Sequence, residues 1–285
     1  MRIVRSPKIM TEVLKKLKLK DRTIGFVPTM GALHEGHLSL IRKARRENDI
    51  VVVSIFVNPT QFGPKEDFKR YPRPIRKDIV SCRKEKVDFI FYPKVKDLYA
   101  QGFKTFVTVE QFSNILCGKS RAGHFRGVAT VVTKLFNIVN PDIAYFGQKD
   151  AQQAIIIKRL VCDLNIPVKI KVMPIIREKD GLALSSRNIY LNQQERKDAL
   201  VLSRSLNLAK DLLKEGERDA ARIINSMRKL IKQRKPAKID YISIVDPKDL
   251  KPVKRILNGC LIALAVWMGK TRLIDNIIIK SNIKN

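Results

Sequence analysis

The chain has 285 residues, of which 45% are hydrophobic, and carries 57 lysines and arginines against 27 aspartates and glutamates, a net charge of +30 at neutral pH. Composition of this kind excludes a disordered chain, and the length suits one large or two ordinary domains around a substantial core. The longest apolar runs, Ile50 to Val57 and Cys260 to Met268, are far too short to span a bilayer, and no apolar core follows Arg2 and Arg5 as a secretory signal requires.

In chain order, Ser6-Pro7 is expected to cap and open a first helix through Ile9, Val13, Leu14 and Leu17. Thr23 to Val27 is a short apolar strand expected to end at Pro28. The stretch P-T-M-G-A-L-H-E-G-H then holds two of the three histidines, His34 and His37, and Leu38, Leu40, Ile41 and Ala44 follow with helical spacing. This is a strand, a Gly-bearing turn and a helix start, where free N–H groups and the helix dipole attract phosphate. Gly31 and Gly36 are expected to let the backbone approach a ligand. Taken alone, the pair also fits two solvated loop histidines. Zinc is not expected, because H-E-G-H lacks the H-E-x-x-H spacing and no cysteine lies nearby.

Ile50 to Val57 is apolar on both faces, as a covered parallel strand should be, and breaks at Asn58-Pro59. The loop after it places Gln61 at the strand edge where open α/β sheets bind ligands. A rigid loop at Arg70 to Pro74 precedes a helix to about Glu85 and a strand at Asp88 to Tyr92. Phe106 to Val109 looks strand-like within an otherwise irregular excursion. From Arg121, R-A-G-H-F-R-G leads into a helix, and Asp142 to Phe146 is a strand running into G-Q-K-D (Gly147 to Asp150) and another helix, a second strand-turn-helix unit with Lys149 at its turn. Val168 to Arg177 is a strand leaving that sheet, followed by S-S-R-N (Ser185 to Asn188), whose hydroxyls and planar guanidinium suit phosphate oxygens.

Beyond Asn192, which with Glu195 makes an N-cap pair, helices are expected over Gln193 to Lys214 and Asp219 to Gln233, then strands at Ile239 to Val245, Cys260 to Trp267 and Leu273 to Ile279. The fold class is therefore α/β: a doubly wound, Rossmann-like parallel sheet domain over residues 1–176, followed by a small α+β domain over residues 177–285. Cys82, Cys117, Cys162 and Cys260 are widely spaced, the pattern of reduced thiols, so a cytoplasmic location is expected. The positive charge is scattered, with no run of five and no interleaved aromatics. It fits A/T-biased codon usage better than a dedicated nucleic-acid partner, although an RNA-binding protein remains the competing reading.

The segment P-T-M-G-A-L-H-E-G-H, with V-N-P-T-Q-F, Y-P-R, R-A-G-H-F-R-G-V, F-G-Q-K-D-A-Q-Q, S-S-R-N and T-R-L-I-D-N in order, resembles the pantothenate synthetase (pantoate–β-alanine ligase) family, a branch of the H-x-G-H nucleotidyltransferases. The resemblance covers nearly the whole chain. It implies that ATP and pantoate give pantoyl adenylate and pyrophosphate, and that β-alanine then displaces AMP to give pantothenate, a coenzyme A precursor. By the same resemblance Met30, Gly31, Ala32, Leu33, His34, Glu35, Gly36 and His37 line the ATP site, with His34 and His37 on the phosphates and His37 as proton donor or transition-state stabiliser. Gly147, Gln148, Lys149, Asp150 and Ile176 contact the nucleoside, with Lys149 reaching phosphate. Leu184, Ser185, Ser186 and Arg187 close over the triphosphate, the small domain acting as a lid. Gln61 and Gln153 hold pantoate, Gln61 also helping to place β-alanine, and Asn58, Tyr71 and Arg121 lie near the substrate. The catalytic set is then His34, His37, Lys149 and Arg187. Two departures stand out. Leu184 replaces a common Met, and Lys77-Asp78 replaces an acidic pair, which leaves Mg²⁺ to be carried mainly by the nucleotide and the role of Asp78 toward it open. The resemblance also implies a homodimer, with no membrane and no specific nucleic-acid partner.

Overall fold

Alternating apolar strands and amphipathic helices produce the expected layered architecture in the computed structural model, which describes residues 1–64 and 66–280. The first elements are β1 (Arg2–Val4), α1 (Pro7–Lys18), β2 (Ile24–Thr29), α2 (Glu35–Glu47), β3 (Ile50–Ile55), α3 (Ile75–Lys84) and β4 (Phe89–Phe91). Then come α4 (Val95–Leu98), α5 (Cys117–Ser120), α6 (His124–Val139), β5 (Ile143–Gly147), α7 (Ala151–Asp163) and β6 (Lys169–Met173). Among the described residues these strands form one six-stranded sheet, ordered β1-β4-β3-β2-β5-β6 and parallel at every pairing.

Strand alternation sends successive side chains to opposite faces, and both faces are covered. Ile24, Phe26 and Val52 join Met10 and Leu14 of α1 and Val128, Val132 and Leu135 of α6 in one core. Val27, Val51 and Val53 join Leu40, Ile41 and Ala44 of α2 and Cys82 of α3 in another. Each fully buried Leu, Ile or Phe contributes about 1.5–3 kcal/mol relative to exposure. Ser6 caps α1 as expected, accepting from the Ile9 N–H, with Pro7 in the first turn.

The strand at the centre differs from expectation. β2 runs through Pro28 to Thr29, with Pro28 in register opposite Ser54. The Thr23 and Thr29 carbonyls accept from Ile50 and Phe56 at 2.9 and 3.0 Å, so the odd-numbered backbone groups of β2 face β3 and Pro28 faces β5. On that side the paired register ends at Phe26 opposite Ala144, so the missing N–H of Pro28 interrupts no ladder bond.

Three further expectations are corrected. Phe106 to Val109 is not a strand. The Val107 N–H donates to the Thr130 hydroxyl at 3.0 Å instead of to a ladder, and Phe106 lies under the Arg126 guanidinium at 4.6 Å. The strand expected over 168–177 stops at Met173, before Pro174, and instead of leaving the sheet forms its edge beside β5. β1 was not expected: it is three residues long and only Val4 of it is buried.

The chain divides into two compact units. One comprises residues 1–148 and 156–174, and the other residues 149–155 and those from Ile175 onward. The second unit contains α8 (Gln193–Asp198), α9 (Val201–Lys214), α10 (Ala220–Lys232) and an antiparallel sheet of β7 (Ala237–Val245), β8 (Cys260–Met268) and β9 (Thr271–Ile279), ordered β7-β8-β9. Asn192 and Glu195 cap α8 reciprocally, as expected. The single helix expected over 193–214 breaks at Ala199-Leu200, where the Leu200 and Leu202 N–H groups tighten to i−3 carbonyls. Leu202, Leu206, Ile223, Met227 and Ile231 pack on Ile262, Leu264 and Val266 of the central strand.

Candidate functional site

The turn after β2 is built from left-handed backbone. Gly31 and Ala32 have φ of +79° and +51°, the second unusual for a residue with a Cβ. Its donors are spoken for. Gly31 N–H donates to the Thr29 hydroxyl at 3.1 Å, and the Ala32 and Leu33 N–H groups donate to the two carboxylate oxygens of Asp78 at 2.9 and 2.8 Å. A Cβ on Gly31 would stand 2.9 Å from Asp78 Oδ2 and from Ile55 Cγ2. Burial pushes the Asp78 carboxyl above the usual carboxylate range, with the two N–H donors pulling it back. Gly31 and Asp78 also line a cleft of about 400 Å³ together with Met30, Phe56, Arg73 and Tyr92.

His34 is the N-cap of α2. Its Nδ1 accepts from the Gly36 N–H at 3.2 Å, and Nδ1 of His37 accepts from the His34 N–H at 3.4 Å, the two rings lying 4.1 Å apart between centroids. An Nδ1 that accepts must be unprotonated, so both neutral imidazoles carry their hydrogen on Nε2, a donor suited to anionic oxygen. Gly36 is small for this cap: a Cβ there would sit 2.9 Å from the His34 ring. The glycines expected to admit a ligand thus make room within the protein for Asp78 and His34. Glu35, in the same turn, pairs with Arg42.

The loop after β3 brings Gln61 to the same end of the sheet. Asn58, 1% exposed, donates to Gln61 Oε1 and to the Gly127 carbonyl, both at 3.0 Å, and accepts from the Thr60 and Tyr99 hydroxyls at 2.9 and 2.8 Å. Burial raises the Tyr99 phenol, partly offset by these bonds. With Oε1 engaged, the Gln61 amide directs its donor end onward, and Nε2 lies 3.2 Å from the Met30 sulfur. Gly127 lets α6 approach this loop, since a Cβ would fall 2.4 Å from the Thr60 carbonyl. The third histidine, His124, is buried. Its Nδ1–H donates to the Gln61 carbonyl at 2.8 Å, and its Nε2 accepts from Arg121, whose guanidinium is forked on Glu66 at 2.9 and 2.5 Å. Asn58 and Arg121, expected near substrate, therefore meet protein partners that hold Gln61, and Tyr71 is buried with its ring edge-on to Phe62. Sequence reasoning missed the role of His124 and the partners of Asp78. The spacing R-A-G-H was visible, but its target 63 residues away was not.

Of the other expected site residues, Gly147 and Gln148 end the first unit's stretch, and Lys149, Asp150, Gln153, Ile176 and Leu184 to Arg187 belong to the second. Lys149 lies in a 3-10 turn ahead of α7, and its carbonyl accepts from Asn276 of β9 at 3.0 Å. The neighbouring Asp275, 2% exposed, is forked by Arg177 at 2.6 and 2.8 Å, and Arg272 pairs with Asp240, which accounts for the late T-R-L-I-D-N motif. The Leu184 N–H donates to the Ile176 carbonyl at 3.0 Å, the Arg187 N–H to the Ser185 hydroxyl at 3.3 Å, and the Asn188 amide to Ala183 and Glu178. Leu184, Ser185, Ser186, Arg187 and Gln153 are half-buried and Asp150 is exposed.

Among the described residues, no group of three or more His, Cys, Asp or Glu side chains could hold a metal ion, and no helix is long and apolar enough to cross a membrane. Both oxygens of Asp78 are committed to backbone N–H groups, and Lys77 stands beside it in place of a second carboxylate.

The family model described as pantoate-beta-alanine ligase matches residues 2–278. The pantothenate synthetase of Caldicellulosiruptor saccharolyticus is 58% identical over 271 residues, covering 95% of this chain and 96% of its own. That of Thermotoga neapolitana is 55% identical over 279 residues, covering 98% and 100%. Among solved structures, pantothenate synthetase from Thermus thermophilus superposes with a TM-score of 0.92 at 42% identity, covering 97% of this chain and 99% of its own. The Francisella tularensis pantoate-beta-alanine ligase, complexed with beta-gamma ATP and beta-alanine, has a TM-score of 0.79 at 39% identity, covering 98% and 97%.

Proposed function

The chain belongs to the pantoate–β-alanine ligase family, and from that premise we propose that it joins pantoate to β-alanine in two ATP-dependent steps. In the first, a pantoate carboxylate oxygen attacks the α-phosphorus of ATP and the bond to the β-phosphate oxygen breaks, giving pantoyl adenylate and pyrophosphate. In the second, the neutral amine of β-alanine attacks the acyl carbon, AMP leaves, and the nitrogen loses a proton. Two steps are needed because a carboxylate is a poor acylating agent, whereas its mixed anhydride with AMP has a good leaving group.

The observation that carries this reading is the pair of adjacent imidazoles with their Nδ1 atoms tied back, each carrying an Nε2–H. Donors fixed before the reaction stabilise developing phosphate charge without reorganising, and His37 is assigned that task with His34 beside it. Gln61, its oxygen held by Asn58, donates to pantoate; Gln153 assists. Lys149 reaches the triphosphate and Leu184, Ser185, Ser186 and Arg187 close over it, residues 177–285 serving as lid, and Gly147, Gln148, Asp150 and Ile176 contact the nucleoside. Mg²⁺ arrives on the phosphates of the nucleotide itself, and the working form is a homodimer. The complex of the Francisella relative with its nucleotide and β-alanine supports the same choice of substrates.

The test is pantoate-dependent exchange of labelled pyrophosphate into ATP without β-alanine. Exchange is expected, and His37→Ala should lower it roughly 100- to 1000-fold, the usual cost of removing one preorganised donor. Folded protein that shows no exchange at all would remove the adenylate step.

A further inference from the structure

We propose that Asp78 is a positioning residue for the imidazole pair, acting through the backbone of the turn at 31–33, and that it is not a ligand of Mg²⁺. The proposal rests on the ATP-dependent reading above for its kinetic consequences, but its structural content stands separately.

Asp78 sits in the first turn of α3, 2% exposed. Its oxygens divide their work: Oδ2 takes the Ala32 N–H at 2.9 Å and Oδ1 the Leu33 N–H at 2.8 Å. Charge-assisted bonds of this length are the stronger kind, and two of them from one carboxylate fix both the place and the tilt of a peptide pair. That pair is the one needing help, because Ala32 is held at a φ of +51° with no glycine to relieve it. Gly31 completes the fit, leaving no room for a Cβ against Oδ2. One residue beyond Leu33 comes His34, whose ring caps α2 and lies 4.1 Å from that of His37. A shift of the 31–33 backbone therefore rotates both imidazoles together. Mg²⁺ demands near-octahedral oxygen ligation and dehydrates reluctantly. A buried carboxylate already accepting two N–H bonds is poorly placed to provide it, and Lys77 supplies no second oxygen.

The experiment compares the wild type with Asp78→Asn, which keeps the shape and loses one acceptor, and with Gly31→Ala, which keeps the carboxylate and crowds it. Rates are normalised to folded protein measured by circular dichroism. In both variants pyrophosphate exchange should fall 10- to 100-fold with a raised KM for ATP, the scale expected when reacting groups are misplaced by about an ångström. The free Mg²⁺ giving half-maximal exchange should stay within about twofold of wild type. Nitrogen-15 spectra of the imidazoles should show the Nε2–H tautomer at His34 and His37 in the wild type and mixed tautomers in Asp78→Asn.

A Mg²⁺ requirement raised tenfold or more, with the rate recovered at high Mg²⁺, would make Asp78 a metal ligand and overturn the proposal. So would a folded Asp78→Asn protein with unaltered kinetics and unaltered imidazole signals. Should the wild type show no exchange, the adenylating function fails, while the imidazole spectra still decide the role of Asp78.

Discussion

At the scale of single residues, what matters is which end of a polar side chain the protein itself holds. Gln61 is the clearest case: Asn58 takes its oxygen, His124 takes its carbonyl, and Glu66 steadies His124 through Arg121. Removing His124 leaves Gln61 in place but no longer aimed. We expect His124→Ala to raise the KM for pantoate about tenfold, since one lost hydrogen bond of about 1–1.5 kcal/mol is that factor, with the KM for ATP unchanged. Initial-rate kinetics with each substrate varied in turn check this. An equal change in both constants would mean that the whole site had moved. The placement of Gln61, His34 and His37 at strand ends beside turns was legible in the sequence because that setting is local. The service roles of Asp78, Asn58 and His124 were not, because each depends on a partner brought close only by the sheet.

The helix that carries the imidazoles must itself be anchored, and α2 is fastened at its far end. Glu47, in its last turn, accepts from Lys171 of β6 at 2.6 Å and from the Tyr145 hydroxyl of β5 at 2.7 Å. The Lys171 bond, then those of Tyr145 and Lys43, depress the Glu47 carboxyl from 4.5 to about 2. A carboxyl lowered on folding stabilises the native state above its unfolded value and ceases to do so as pH falls through the folded one. Glu47→Gln should thus cost about 1 kcal/mol at pH 7, allowing for partial solvent screening, and nothing near pH 2, with the difference fading between 4.5 and 2. Urea denaturation at a series of pH values reads this directly, and a penalty independent of pH would assign the loss to packing. Elements with long periodicity, such as α2, α6 and α10, were legible in outline. β1 was not, since three residues with two outside the core carry too little pattern.

Across the whole molecule the outstanding property is charge. With 57 basic and 27 acidic side chains, at least 30 cations have no carboxylate to themselves. Filter binding should therefore detect RNA at low ionic strength and lose it by about 0.2 M salt, as expected for contacts to phosphate alone. Sequence-selective binding that survived such salt would instead favour the RNA-binding reading.

Residue 28 has one more effect. An imino acid pointing from β2 toward β5 acts as a zipper stop: hydrogen bonding between these neighbours ends at Phe26, although β5 continues to Gly147. The sheet order reverses between these two strands, the place where doubly wound proteins seat their ligands. The early end of pairing at the stretch of β2 that leads into the imidazole turn is thus written into the covalent chain.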